Sequence, residues 1–449
     1  MKADEGVPGD RPPGEVQDEV TVEGMGAGGV GVANLSDGRI VFVPRTAPGD
    51  RARIRLTRDR GRWARGEVVE LLEKGEGHRA APCPLYHRCG GCSLQHLAYR
   101  EQLRWKGRFV GDALRRIGGW EVGDPPVEPS PRELRYRTRM TFTLRRLRGG
   151  RVVAGLHHRL RRGRVLDVAG ECLLPREALL QGWERLRAGW GRGAARLPGG
   201  RELRLTLRVG RTPGSGEEAL ALLVTGGRGL GDPEALRARV PGLASVWREE
   251  EEGGRHVAGN PALEVPWLGR EVAVPGGAFL QVNREAGQTL HRYVLAQASP
   301  AADRRVVEGY AGMGMLGRAL AEAGARVVAV EEDPQAAKAG GKEEAEGFRM
   351  IQGRLEEVLE GLLPVGLVLV NPPRSGLHES IPGQLRARPP GELIYVSCDP
   401  ATLARDLKRL GDEFRVRSVR SFDLFPQTGH VETVVHLERA VEPLRTEET

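Results

Sequence analysis

One cysteine of the chain stands where a nucleophile would be expected. Cys398 follows the apolar segment 393–396. It immediately precedes Asp399 and Pro400, two residue types that commonly begin helices. The positive end of a helix dipole favours the thiolate form of a cysteine placed there. A cysteine buried only for packing is the alternative, but this position predicts covalent catalysis by Cys398.

A carboxylate near the end of the chain offers the base that such chemistry needs. Glu432 directly precedes the strand-like segment 433–437, so we expect it at the start of a strand, pointing into a cleft. His430 lies two residues earlier and is the alternative base.

A glycine-rich turn and a distant acid indicate an adenosine cofactor. The predicted strand 305–309 is followed by Gly312, Gly314 and Gly317, which let a ligand approach the backbone closely. Glu331 lies 19 residues beyond Gly312, where a carboxylate can accept both ribose hydroxyls. Both NAD and S-adenosylmethionine (SAM) fit this pattern.

An Asn-Pro-Pro element favours SAM. Asn371, Pro372 and Pro373 follow the apolar segment 365–370, and the prolines hold the asparagine rigidly over the cofactor. Hydride transfer has no use for this element, whereas SAM enzymes that methylate bases typically carry it. Thiolate addition to C6 of uracil would make C5 nucleophilic toward the methyl group, and a base must then remove the C5 proton.

An open α/β sheet is needed to bring these residues to one edge. The predicted strands are 305–309, 326–330, 365–370 and 393–396, and a helix covers 316–323. Short apolar strands alternating with helices predict a doubly wound parallel sheet, with its ligand at the carboxyl ends of the strands.

The remaining sequence points to nucleic acid. Short strands separated by Gly, Pro and Asp turns predict a small β-barrel with an arginine-rich edge over residues 16–75. Residues 135–164 contain 11 arginines and no acid, and the formal net charge of the chain is +8. A strand with one apolar and one cationic face favours nucleic-acid binding over a merely solvated surface.

The other four cysteines form a second constellation. Cys83, Cys89 and Cys92 lie within ten residues, and Cys172 follows at a distance. The odd total of five cysteines argues against a disulfide framework, and four thiolates suit either zinc or a [4Fe–4S] cluster. Spacing alone does not choose between them. A helix over 95–117 is predicted to follow.

Length and composition limit the classes to which the protein can belong. The chain has 449 residues, 39% of them hydrophobic and 29% charged, which is enough for several folded domains. It contains no run of roughly 18 apolar residues and no secretory-type leader, so we expect a cytoplasmic protein without a membrane span. We expect a monomer divided as follows: a tail (1–15), a β-barrel (16–75), a mixed α/β central domain that binds RNA (76–275), the α/β domain (276–440) and a second tail (441–449).

Four motifs resemble the RNA uracil-5-methyltransferases of the TrmA class. They are Phe279-Leu-Gln281-Val-Asn283, Asn371-Pro-Pro-Arg-Ser-Gly376, Val396-Ser-Cys398-Asp-Pro-Ala-Thr-Leu-Ala-Arg405 and Gly429-His-Val-Glu432. Residues 16–72 are similar to the TRAM domain that this class often carries. The resemblance implies a Rossmann-like class I methyltransferase domain behind an OB-like barrel, with Cys398 as nucleophile and Glu432 as base. It also implies four SAM-contacting residues: Gln281, Tyr310, Glu331 and Asn371.

The cysteine pattern is similar to that of the ribosomal-RNA branch of the class, the RlmD (RumA) type. This resemblance implies 23S ribosomal RNA rather than tRNA as the substrate. It also implies a [4Fe–4S] cluster rather than zinc, held by Cys83, Cys89, Cys92 and Cys172.

Several positions depart from the family pattern. Asn371 stands where the family usually has Asp, and Ala311 and Met315 replace Cys and Asn in the glycine turn. Arg354 lies near the position that commonly binds adenine. These departures imply weaker SAM binding or an altered cofactor pose. The non-enzyme alternative is an RNA-binding assembly factor with a degenerate pocket.

Overall fold

The computed structural model describes residues 17–161, 163–250, 253–299, 302–342 and 345–440. The predicted tails, 1–15 and 441–449, lie outside the described residues. Within these ranges no helix is both long enough and apolar enough to cross a membrane.

Five strands close into the predicted barrel in the order β1-β2-β3-β5-β4. They are β1 (Gln17–Gly26), β2 (Val30–Asn34), β3 (Ile40–Pro44), β4 (Arg51–Asp59) and β5 (Trp63–Glu73). Side chains alternate along each strand, so Val41, Val43, Ala52 and Ile54 are fully buried inside the barrel.

Part of the arginine-rich edge of the barrel is neutralised. Arg51 lies 2.6 Å from Glu73, and Arg53 lies 2.5 Å from Glu70. Such exposed pairs add little stability, but they remove positive charge from the surface. Along β4, β5 and the turn between them, Arg55, Arg62 and Arg65 have no ion pair among the described residues.

The segment after the barrel differs from the helix predicted over 95–117. Helix α1 covers Tyr99–Ala113 and continues as a π-helical turn over Leu114–Gly118, followed by β6 (Val127–Glu128). Residues 95–98 do not join the helix, because they bond back to the preceding chain. The Arg79 N–H donates to the His96 carbonyl at 2.7 Å, and the Gln95 side chain accepts from the Cys83 N–H at 3.1 Å.

A nine-stranded sheet forms the centre, with the path β13-β12-β11-β10-β7-β8-β9 and a β14–β15 hairpin attached to β10. Its elements are β7 (Arg139–Arg146), β8 (Val152–His157), β9 (Val165–Asp167), α2 (Glu177–Gly189), β10 (Glu202–Arg211), β11 (Glu218–Thr225), α3 (Pro233–Arg239), β12 (Leu243–Glu250), β13 (Gly253–Gly259), β14 (Leu263–Trp267) and β15 (Arg270–Val274). Met140, Phe142 and Leu144 of β7 are buried, as alternation predicts. On the opposite face Arg145 pairs with Glu202, so this cationic face is also partly neutralised.

An eight-stranded sheet completes the fold in the order β18-β17-β16-β19-β20-β22-β21-β6. Its elements are α4 (Arg284–Ala298), β16 (Arg305–Gly309), α5 (Met315–Glu322), β17 (Arg326–Glu331), α6 (Pro334–Gly341), β18 (Phe348–Gln352), α7 (Leu355–Leu362), β19 (Leu367–Val370), α8 (Ile381–Ala387), β20 (Glu392–Ser397), α9 (Pro400–Leu410), β21 (Phe414–Phe422) and β22 (Glu432–Arg439). Strands β16 to β20 pair in parallel, and β22 runs antiparallel to β20. The predicted doubly wound sheet is confirmed.

Two parts of the predicted central range pack against this C-terminal sheet. Strand β6 pairs with β21, and helix α1 contacts α9. Lys106 of α1 and Asp423 after β21 form a fully buried ion pair at 2.6 Å. The boundary at residue 275 stays a prediction, but the amino-terminal half is tied directly to the C-terminal sheet.

Candidate active site

The carboxyl ends of β16 and β19 border a cavity that contains most of the predicted cofactor residues. Gln281, Tyr310 and Asn371 all line it, together with Gly312. Tyr310 and Gly312 both have a φ of +57°, which is uncommon for a tyrosine. Backbone strain of this kind concentrates at ligand sites, because only the surrounding structure can maintain it.

Glu331 supports the glycine turn from the end of β17. Its carboxylate oxygens accept hydrogen bonds from the Gly312 N–H at 2.7 Å and from the Asp333 N–H at 2.8 Å. Each oxygen keeps a second lone pair, so the carboxylate can still accept a ribose hydroxyl. The structure therefore brings Glu331 against the turn that borders the cavity.

Strands β20 and β22 bring the candidate nucleophile and base together. Ser397 pairs with Thr433 across these antiparallel strands. Continuing this register sets Cys398, directly after β20, opposite Glu432, the first residue of β22. Helix α9 begins directly after Cys398 with Asp399 as its cap, as predicted.

The electrostatics of this corner differ from the expectation for Cys398. Burial raises the pKa of the Cys398 thiol, and the Glu432 carboxylate raises it further. The net shift is upward although Arg374 acts in the opposite direction and favours the thiolate.

Glu432 has the properties of a general base. Its side chain is buried, and burial raises the pKa of Glu432 to about 7 against the opposing effect of Arg374. Within the part of the chain that the structure describes, no group donates a hydrogen bond to this carboxylate. A free carboxylate with a pKa near the working pH is well suited to accept a proton.

Arg374 is a site residue to which the sequence analysis gave no role, although it closes the Asn-Pro-Pro-Arg motif. Its Nη2 lies 3.4 Å from Nε2 of His430. Burial and the charge of Arg374 lower the pKa of His430, which keeps the imidazole neutral. When Nε2 of His430 carries no proton, Arg374 donates to it and occupies its lone pair, which favours Glu432 over His430 as the base.

Phe279 is the other residue without a role in the sequence analysis. It lines the cofactor cavity, yet 61% of its surface is exposed. An exposed aromatic ring beside a cleft offers a stacking surface for a base. The sequence signal that could have identified Phe279 is its position two residues before Gln281 in the motif that spans residues 279–283.

The four remaining cysteines line a second cavity, of about 350 Å³. They are joined there by Arg137, whose Nε is buried without a hydrogen-bond partner. No three metal-binding side chains within the described ranges are gathered around a single metal position. The structure thus brings the predicted ligands to one cavity without showing a metal site.

Comparison with known proteins decides the family. Residues 342–440 match the tRNA (uracil-5-)-methyltransferase family, and residues 11–69 match the TRAM domain. An uncharacterized RNA methyltransferase of Gloeobacter violaceus is 33% identical over 455 residues, covering 94% of this chain and 96% of the relative. The chain belongs to the RNA uracil-5-methyltransferase family.

Further similarities extend over nearly all of this methyltransferase. A Streptomyces coelicolor RNA methyltransferase is 33% identical over 95% of this chain and 93% of its own. The crystal structure of Pyrococcus abyssi tRNA (uracil-54, C5)-methyltransferase in complex with S-adenosyl-L-homocysteine matches with a TM-score of 0.69 and 24% identity, over 93% of this chain and 99% of that chain. At this identity the likeness shows the fold alone, and it confirms a methyltransferase fold behind the TRAM barrel. The protein is a SAM-dependent enzyme that methylates uracil in RNA.

Proposed function

We propose that this methyltransferase modifies C5 of a uridine in 23S ribosomal RNA through a covalent adduct with Cys398, and that Glu432 is the base. The observation that carries this mechanism is the β20–β22 register, which sets the two residues side by side at the edge of the sheet. The free, buried carboxylate of Glu432 supports the assignment of the base.

The proposed reaction gives Cys398 and Glu432 separate roles. Cys398 loses its thiol proton to solvent, its thiolate attacks C6 of uracil, and the C5–C6 electron pair moves to form an enolate. SAM, when bound, supplies the methyl group that C5 takes. Glu432 then removes the C5 proton, the C5–C6 double bond forms again, and Cys398 leaves as a thiolate. The positive charge of Arg374 stabilises the Cys398 thiolate both before it attacks C6 and after it leaves.

We propose that SAM occupies the cavity at the ends of β16 and β19. Gln281, Tyr310 and Asn371 line it and would orient the cofactor, and Glu331 would accept its ribose hydroxyls. Asn371 offers an acceptor oxygen without the negative charge of the usual Asp, which supports weaker binding.

The RNA must present one unstacked base, because the ring has to reach both Cys398 and the methyl group. The exposed ring of Phe279 would stack against a base at the edge of the cleft. Arg55, Arg62 and Arg65, which have no ion pair in the described part of the chain, would contact phosphates.

We propose that the second cavity holds a [4Fe–4S] cluster, with Cys83, Cys89, Cys92 and Cys172 as ligands. A single zinc ion would draw four sulfurs to within about 2.3 Å of one point, and the open cavity suits a larger group. The Arg137 guanidinium, whose Nε is buried, would offset the negative charge of four thiolates. Zinc is the second candidate.

Protein purified without oxygen is expected to be brown, with about four iron and four sulfide per chain. Cys172→Ser should lose most of the iron, because a ligand is removed, whereas Cys398→Ser should retain it as the matched control. Iron and sulfide assays together with the visible spectrum measure both. A colourless protein with one zinc per chain would contradict the proposed [4Fe–4S] cluster and would be consistent with the same four cysteine ligands.

The choice of ribosomal RNA over tRNA is supported by the cysteine pattern and is tested by mapping. In a strain that lacks this enzyme, 5-methyluridine should disappear from 23S ribosomal RNA and persist in tRNA. If 5-methyluridine disappears from tRNA alone, the substrate is tRNA and not 23S ribosomal RNA. If neither RNA changes, calorimetry with SAM distinguishes a binding-competent enzyme with another target from a degenerate pocket.

A further inference from the structure

The loop that leads into the candidate base is held by the amino-terminal half of the chain. We call residues 423–431 the base loop, because Glu432 follows it directly. At its start Asp423 forms the buried ion pair with Lys106, and further on the Tyr136 hydroxyl donates to the Pro426 carbonyl at 3.1 Å. The position of Glu432 therefore depends on residues that lie far from it along the chain.

Gln427 lies at the centre of this support. It is fully buried and has a φ of +70°, a left-handed conformation that is uncommon for a residue other than glycine. Its N–H donates to Oε1 of Gln102 at 2.9 Å, and its carbonyl accepts from the N–H groups of Ser93 and Leu94 at 3.0 Å each. Such a conformation persists only where the surroundings determine it.

The side chain of Gln427 completes the clamp. Its Oε1 accepts from Nε2 of Gln102 at 3.0 Å and from Nη2 of Arg79 at 3.2 Å, and its Nε2 donates to the Glu133 carbonyl at 3.3 Å. Gln102 and Gln427 thus exchange two hydrogen bonds. Since a buried amide left unpaired is costly, removal of either partner should loosen the loop.

The barrel and Ser93, which directly follows Cys92, hold the next part of the loop. The Gly429 N–H donates to the Ser93 hydroxyl at 3.1 Å, and Gly429 pairs with Gly28 of the barrel. A Cβ at position 429 would collide with the Gly28 backbone, so this approach requires glycine. Only two residues, 430 and 431, separate Gly429 from Glu432, which leaves the strand start little freedom.

We propose that Gln427 is a positioning residue for proton removal, holding Glu432 in line with C5 through its clamp with Gln102 and Ser93. This inference rests on the proposed role of Glu432. Cys398 belongs to the β20–α9 connection, outside the base loop. Loss of the clamp should therefore spare attack by the thiol and slow the later step that needs the base.

The Gln427→Gly variant tests this inference, because glycine keeps the left-handed backbone and removes only the side chain. RNA that carries 5-fluorouridine forms its covalent adduct without the base, so adduct formation should stay near the wild-type rate. Turnover of uridine RNA should fall by about 10²-fold, and a methylated protein–RNA complex should accumulate. Gln102→Ala, which removes the partner of Gln427, should likewise leave adduct formation unchanged and slow turnover.

Gln384→Ala is the matched control, because it loses a glutamine hydrogen bond to the Glu356 carbonyl away from the base loop. It should change neither rate. Equal losses of adduct formation and turnover in both clamp variants would indicate a merely structural role and overturn the inference, as would normal turnover. Glu432→Gln is measured in parallel. If it accumulates the complex and Gln427→Gly does not, only the positioning role fails, and if neither does, the base assignment fails as well.

Discussion

Replacement of Cys398 by alanine is expected to abolish turnover and to leave RNA binding largely intact. Without thiolate addition to C6, C5 of uracil never becomes nucleophilic enough to take the methyl group. Trapping with RNA that carries 5-fluorouridine measures this directly, since fluorine at C5 cannot be removed as a proton. The wild-type protein should form a denaturant-stable adduct, and Cys398→Ala should form none.

The control for this variant is a measurement of its affinity for SAM and for RNA. Calorimetric titration with SAM and a filter-binding assay with RNA should give affinities close to those of the wild-type protein, because Cys398 is one side chain at the edge of the site. A covalent adduct that survives in Cys398→Ala would refute the nucleophile.

Replacement of Glu432 by glutamine is expected to stall the enzyme after methyl transfer. Glutamine keeps the shape of the side chain but cannot accept the C5 proton, and Cys398 cannot leave until that proton is gone. A general base typically contributes about 10²–10⁴-fold, so product release should slow by that factor. Radiolabel from the SAM methyl group should accumulate in a denaturant-stable protein–RNA band.

The pH profile provides an independent check on this base. Because burial raises the pKa of Glu432 to about 7, the ionised carboxylate forms as pH rises through that value, and wild-type proton removal should accelerate over the same interval. Glu432→Gln should lack this dependence. If Glu432→Gln turns over normally, or if His430→Ala rather than Glu432→Gln accumulates the band, the base is His430.

The base loop connects the TRAM barrel and residues 83–93 to Glu432. Ser93 directly follows Cys92, and its N–H and hydroxyl both contact the loop that ends at Glu432. The parts of the chain expected to hold RNA and a metal group therefore also support the residue expected to remove the proton.

Features that depend on neighbours along the chain could be predicted from the amino-acid sequence. The apolar strands, the glycine turn after β16 and the start of α9 at Asp399 and Pro400 follow from local periodicity and capping preferences. The helix predicted over 95–117 began at Tyr99 instead, because hydrogen bonds to residues 79 and 83 hold 95–98 outside it. Local preference could not reveal those partners.

Features that depend on contacts between remote segments could be identified only from the tertiary structure. Strand register sets Cys398 beside Glu432, and register is chosen by the burial of whole strand faces rather than by either residue. Burial then raises the pKa of both groups, which a motif cannot predict. Gln102 and Gln427 stand 325 residues apart, and their reciprocal hydrogen bonds exist only because α1 packs against the C-terminal sheet.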